Sequence, residues 1–318
     1  MVSHKVVLDV DPGVDDAIAI IIALQSIDIE VLAITTVNGN IGSRAGAFNT
    51  LKILHALGKS HIPVLQGATK PLTKTRIVRP QHCHGKGGLG GLQLELPKDK
   101  KTVSKVQLSD FIESTLKNYR KREVSIIATG PLTNIAKLFI DKNSSSTINN
   151  LGEISIMGGV FRFANTIFNS FTKYADFNFY CDPEAAKIVI DKHVNVNRKF
   201  VGLDVTSNPL CAVGPDLVGK IKNTKGVTSI KKIVSTLLDF AISTRNICNL
   251  HDVFALAMLE KPSLFELRKG HIEVILNGKM RGHSQFVEDN RSSKNILVAA
   301  KVNEKGFNNF LISRLLKN

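Results

Sequence analysis

The first twenty-five residues already narrow the fold. Lys5–Val10 is a short apolar, β-branched run, the composition of a strand buried on both faces. Asp11-Pro12-Gly13 breaks it, and Val14–Gln25 then carries apolar residues at helical spacing. A strand with two apolar faces needs a cover on each side, and a helix directly after it can supply one. The unit recurs. Glu30–Val37 reads as a strand closed by Asn38-Gly39-Asn40, Ser43–Leu57 as a helix, and Pro63–Gln66 as a short strand. Further on, Phe111–Arg120 reads as a helix capped by Ser109 or Asp110, Glu123–Ala128 as a strand, and Leu132–Ile140 as a helix opened by Gly130-Pro131. Glu153–Met157 is a strand ending in Gly158-Gly159. Cys181–Lys192 is a helix with Asp182 as cap and Pro183 in its first turn. Lys199–Val205 reads as a strand, Ser229–Thr244 and Asp252–Leu259 as helices. His271–Leu276 and Asn295–Lys301 are late strands before a final helix at Phe307–Leu316.

This alternation predicts an α/β fold: a single large domain over residues 1–318, with a mostly parallel central sheet flanked by helices. The polar loop Asn143–Ser146 is too short to divide it. Ligands of such sheets bind at the carboxyl ends of the strands. Asp11, Asn40, Thr129 and Met157 all fall at such ends.

Composition removes several alternatives. A chain of 318 residues, 43% hydrophobic, can bury a full core without disulfides. Its four cysteines, Cys83, Cys181, Cys211 and Cys248, form no CxxC pair, so zinc-ribbon and thioredoxin chemistry lack support. The longest apolar stretch, Ile18–Leu24, is far below the ~20 residues of a membrane span. Met1–His4 leads straight into the first strand. A reduced, cytoplasmic, soluble protein with no membrane partner is expected. The net charge of +15 could draw nucleic acid, but the basic residues are scattered. Their small clusters, Lys98–Lys101, Arg120–Arg122 and Lys231–Lys232, read as solvated faces, and no nucleic-acid partner is expected.

The strongest local feature is Asp9-Val10-Asp11-Pro12-Gly13-Val14-Asp15-Asp16, with four carboxylates in eight residues. Like charges a few ångströms apart repel and raise each other's pKa, so a cation or several donors must compensate. Period two puts Asp9 and Asp11 on one face of the strand end. Asp15 and Asp16 sit at the mouth of the next helix, where the dipole favours anions. Pro12-Gly13 turns the two sets toward one point. Capping explains Asp15 or Asp16; it does not explain Asp11. All-oxygen ligands select a hard cation, calcium or magnesium, over zinc. His251-Asp252 opens a later helix and could add a ligand, although such a pair alone is usually a cap.

Taken in order, DVDPGVDDA, AITTVNGN, HCHG, TGPLTNIA, IMGG, DFNFYCDPEAA and HDVFALA resemble the inosine–uridine nucleoside hydrolase family from about Lys5 to Leu259. The resemblance implies Ca2+-dependent cleavage of the N-glycosidic bond of purine or pyrimidine ribonucleosides, in nucleoside salvage. It implies calcium ligands at Asp11, Asp16 and Asp252 and through the Thr129 carbonyl, with Asp11 also the base toward the attacking water. It implies ribose contacts at Asp15, Asn40, Met157, Asp176 and Asn178, and His84 in a loop near the substrate. His251 would assist the leaving base, against the plainer reading of a helix-capping or core histidine. A homo-oligomer, dimer or tetramer, is expected on the same ground alone. A catalytically silent nucleoside- or ribose-binding protein of this fold is the alternative.

Three departures bear on these expectations. Asp176-Phe177-Asn178 stands where the family has Glu-Phe-Asn, one methylene shorter. The Met157–Asp176 stretch is longer than in many relatives and rich in phenylalanine, with Phe161, Phe163, Phe168 and Phe171. Asn165 rather than Asn169 is assigned to the family's ribose position there, because it follows the small Ala164. Asp239–His251 is shorter than in relatives that place aromatics over the base, which leaves the base preference open.

Overall fold

A computed structural model describes residues 4–73, 79–97, 103–141, 145–163, 172–224, 228–243 and 246–316. The Lys98–Lys101 cluster, Asn143–Ser144 and the segment 164–171, with Asn165, Asn169, Phe168 and Phe171, lie outside these residues.

Strand β1 (His4–Val10) is buried from Val6 to Val10, and it takes parallel partners on both sides. Its neighbours are β2 (Ile29–Thr36) and β4 (Val124–Ala128). Beyond β2 lies β3 (Val64–Gln66). Beyond β4 lie β5 (Glu153–Met157) and β6 (Asn197–Val201), all parallel. β9 (Ile296–Val302) continues the parallel set, and β7 (Phe265–Val274) and β8 (Ser284–Glu288) add an antiparallel ribbon. The order is β3-β2-β1-β4-β5-β6-β9-β7-β8. The direction of winding therefore reverses between β1 and β4, and a crevice opens at their carboxyl ends.

The helices are α1 (Val14–Gln25), α2 (Ser43–Ala56), α3 (Gln81–His84), α4 (Leu108–Leu116), α5 (Thr133–Ile140), α6 (Ser145–Asn149), α7 (Phe177–Cys181), α8 (Pro183–Asp191), α9 (Leu203–Thr206), α10 (Pro215–Asn223), α11 (Ser229–Ser243), α12 (His251–Glu260) and α13 (Glu304–Leu315). Two apolar cores lie on the two faces of the sheet. One joins α1, α2, α11, α12 and α13; the other joins α4, α5 and α8. The α/β fold with a mostly parallel central sheet is thus as expected. No helix among the described residues is long and apolar enough to cross a membrane.

Several local readings change. Lys199–Val205 is not one strand: β6 stops at Val201, and Gly202 caps the helical turn α9, with Thr206 N–H donating to the Gly202 carbonyl. The run to Val205 suggests continued strand, but backbone closure at Gly202 outweighs that preference. Cys181 ends α7 rather than starting α8, because Asp182 caps the latter through the Ala185 amide. Helix α4 begins at Leu108, so Ser109 and Asp110 lie inside it. Lys231 is buried on α11 instead of solvated.

Candidate active site

The turn after β1 brings the acids together. Pro12-Gly13 reverses the chain, and Asp16, at the third position of α1, accepts the Gly13 amide on Oδ2 (2.9 Å). Its Oδ1 accepts the Thr129 hydroxyl (2.7 Å) from the end of β4. Asp11 accepts the Asn40 amide on Oδ2 (2.6 Å), and the Asn40 side chain reaches Asp16 Oδ2 (3.3 Å). Two glycines permit this closeness. A Cβ on Gly39 would lie 1.9 Å from Asp11 Oδ2, and one on Gly13 would lie 2.5 Å from His84 Nδ1.

Helix α12 brings Asp252 to the same point. One carboxylate oxygen from each of Asp15, Asp16 and Asp252 lies within 4.8 Å of the others. Asp15 was expected on the ribose rather than in this trio, and Asp11 flanks the trio closely enough to act electrostatically on Asp252. Burial, then mutual repulsion, drives the carboxyls of Asp11 and Asp252 well above the ordinary range. Burial raises Asp15 and Asp16 as well. Asp11 Oδ1 and Asp15 Oδ1 are buried and accept no hydrogen bond. An oxygen-only cluster with uncapped buried oxygens fits a hard divalent cation, whose charge would offset both burial and repulsion. Asp9 sits behind it, held by Asn134 Nδ2 (2.7 Å) and pushed by burial up to about 7.

A cavity of about 700 Å³ opens over the cluster. Asp15, Asn40, His84, Thr129, Met157, Asp176, Asn178, His251 and Asp252 all border it, so the described expected residues converge. Asp11 and Asp16 lie beneath, fully buried. Four of the cavity residues have local partners that the sequence alone did not disclose. Asp176 accepts the amides of Gly159 (2.8 Å), Asn178 (2.9 Å) and Phe179 (3.3 Å), so its shorter side chain is spent on the start of α7. Burial still lifts it to about 6. Asn178 donates through Nδ2 to the Thr129 carbonyl (2.6 Å) and the Met157 carbonyl (3.2 Å), tying the ends of β4 and β5 together. His84 accepts the Val14 amide on Nδ1 (3.1 Å), and burial lowers it to about 4. It therefore sits over the α1 N-terminus as a neutral ring. His251 Nδ1 lies 2.8 Å from the Thr206 hydroxyl.

Sequence reasoning missed Gly39, Asn134 and Thr206. The glycine and the asparagine lie inside AITTVNGN and TGPLTNIA, so the motifs contained a signal; Thr206 lies just past the segment read as strand, Lys199–Val205, and in none of the motifs. The aliphatic side chains of Leu203, Ala241 and Ile247 also border the cavity, and Phe177 is its one phenylalanine, tyrosine or tryptophan among the described residues.

Comparison with known proteins gives the family. The sequence pattern of the inosine-uridine preferring nucleoside hydrolase family matches residues 6–309. The chain is 34% identical to the pyrimidine-specific ribonucleoside hydrolase RihA of Escherichia coli, over 98% of this chain and 97% of that one. It is 32% identical to uridine nucleosidase 1 of Arabidopsis thaliana, over 88% and 81%. A solved purine-preferring ribonucleoside hydrolase from Gardnerella vaginalis superposes with a TM-score of 0.83 at 28% identity, covering 98% of each chain. The chain belongs to the inosine-uridine preferring nucleoside hydrolase family, and it is a nucleoside N-ribohydrolase.

Proposed function

We propose that this enzyme hydrolyses purine or pyrimidine ribonucleosides with Ca2+ at the acid cluster, in cytoplasmic nucleoside salvage. The observation that carries the reading is the convergence of Asp15, Asp16 and Asp252, flanked by Asp11, beneath a cavity of about 700 Å³. Asp11, Asp16 and Asp252 and the Thr129 carbonyl would hold the ion, with Asp15 close enough to share it. Bound there, calcium supplies Lewis-acid polarisation of water and neutralises the carboxylates.

The chain's own groups do the rest. Asp15, Asn40, Met157 and Asn178 border the cavity, and in this reading Asp15 and Asn40 hold the ribose hydroxyls. Carboxylates around the sugar stabilise the oxocarbenium-like transition state. The C1′–N bond breaks with its electron pair leaving on the base. A water oxygen bonds C1′ and yields its proton to Asp11, while His251 supplies a proton to the departing base. The base rests against aliphatic side chains. Relatives named as pyrimidine-specific and as purine-preferring stand at comparable identity, which supports the broad substrate class.

The test is a panel of ribonucleosides assayed for released reducing sugar, with calcium and with chelator. Cleavage that chelator abolishes and calcium restores supports the proposal; full activity in chelator, or stoichiometric zinc in place of calcium, overturns it. The homo-oligomer implied by the resemblance is checked by light scattering, where a monomer at working concentration would refute it.

A further inference from the structure

We infer that Thr206 is a positioning residue for the reaction: its hydroxyl fixes the imidazole of His251 so that Nε2 faces the leaving base. The inference rests on the reading of His251 as the group that assists that base. The geometry behind it is local and rigid. β6 delivers Gly202 to the edge of the cavity, and α9 turns there with Thr206 fully buried. The turn is held from a second side. Leu203 N–H donates to the Gly159 carbonyl (2.9 Å), and Asp204 accepts the amides of Phe161 and Phe163 (3.0 Å). Thr206 is therefore a fixed point fastened to β6 and to the segment after β5.

His251 is the first residue of α12 and borders the cavity. Its Nδ1 lies 2.8 Å from the Thr206 hydroxyl. The two nitrogens of an imidazole point away from each other across the ring, so holding Nδ1 against the buried wall directs Nε2 to the cavity side. A hydroxyl suits this place better than a carboxylate or an amide. It can accept from Nδ1–H of the imidazolium while Nε2–H faces the base, and it still accepts from Nδ1–H after the Nε2 proton has gone to the base. It can rotate and donate when Nδ1 is the bare nitrogen. One partner thus serves the ring in both states, without adding charge beside four carboxylates. Valine in its place would remove the hydroxyl from Nδ1 and loosen the ring's orientation.

The experiment compares Thr206→Val and Thr206→Ser with wild type, all calcium-loaded, on uridine, inosine and a nitrophenyl riboside whose leaving group departs without a proton. Loss of orientation at a donor should lower the nucleoside kcat of Thr206→Val about 10- to 100-fold. Its KM and its nitrophenyl riboside rate should stay within about 3-fold of wild type. Thr206→Ser should restore nucleoside kcat. Equal losses on both substrate types, or unchanged nucleoside kcat in Thr206→Val, overturn the inference. Should the buried valine prevent folding, Thr206→Ala carries the same comparison. His251→Ala separates the two levels. If that variant loses both substrate types equally, the donor reading of His251 fails. If it spares only the nitrophenyl riboside while Thr206→Val spares both, the donor reading stands and the role given to Thr206 fails.

Discussion

Replacing Gly39 by alanine should disable the site without touching a charged group. The added Cβ would lie 1.9 Å from Asp11 Oδ2, whereas ordinary contact begins at 3.4 Å, a deficit of 3.4 − 1.9 = 1.5 Å. The carboxylate cannot yield freely. Its Oδ2 is fixed by the Asn40 amide at 2.6 Å, and the side chain is fully buried. Either Asp11 swings away or the Asn38–Asn40 turn lifts, and both break the Asn40 bond. A buried acceptor left unpaired costs about 1–3 kcal/mol. A misplacement of about 1 Å at a reacting group can cost ~10²-fold in rate. Gly39→Ala should therefore lose at least about 100-fold in kcat on any nucleoside the wild type cleaves, bind calcium more weakly by titration calorimetry, and melt at lower temperature. A variant within a few-fold of wild type in rate and calcium affinity would show that the turn yields and that the close approach does not set the site.

Other perturbations follow from the same geometry. Asp11→Asn keeps the shape but removes the proposed base and one proposed ligand charge, so initial rates should show kcat down ~10²–10⁴-fold with KM little changed. Burial raises Asp9 to about 7 and Asp176 to about 6, and raises the four cluster carboxyls in the same direction. A raised folded pKa means that the stabilisation is complete below about 4 and is lost as pH climbs through about 6 to 7. Metal-free protein should thus melt higher at about pH 5 than at about pH 8, and calcium should raise the melting temperature more at the higher pH, where no protons compete; equal calcium shifts would contradict this. Arg314→Ala strips the buried partner from Glu260 and should cost about 3–5 kcal/mol in urea denaturation, whereas a cost under about 1 kcal/mol would mean that the pair contributes little.

What could be read from the sequence was whatever a short window encodes. Buried runs such as Val6–Val10 and Val124–Ala128 announce parallel strands because both their faces are covered. The strand-end rule then locates Asp11 and Thr129, and the β1/β4 reversal confirms the place. Helix α10 escaped because Gly219 and the lysines at 220 and 222 dilute its apolar face; Pro215 at its first turn was the surviving hint. The antiparallel β8 escaped because Gln285 and Glu288 carry little apolar signal. In the site, identities were legible and orientations were not. Whether Asp176 faces a sugar or the amides of α7 depends on one methylene and on where Gly159 lies, which no local pattern specifies.

The orientation of the acids follows from their neutral neighbours. Helices α1 and α12 pack together with their first turns at the cluster, and Ser26, just past α1, donates to Glu260, the last residue of α12 (3.3 Å). The two helices therefore run in the same direction, and both positive dipole ends face the carboxylates. Dipoles lower the cost of gathering the charges, but they do not aim individual oxygens. The donors do that: Gly13 and Thr129 each hold one oxygen of Asp16, and Asn40 holds one oxygen of Asp11. Each held oxygen fixes where its twin must point, and Asp11 Oδ1 is such a twin, buried and uncapped. Carboxylate geometry in the cluster is thus set by the backbone amides of Gly13 and Asn40 and by the Thr129 hydroxyl. Substitutions at those three places should disturb it, and with it the proposed cation binding, even though none of them carries a charge.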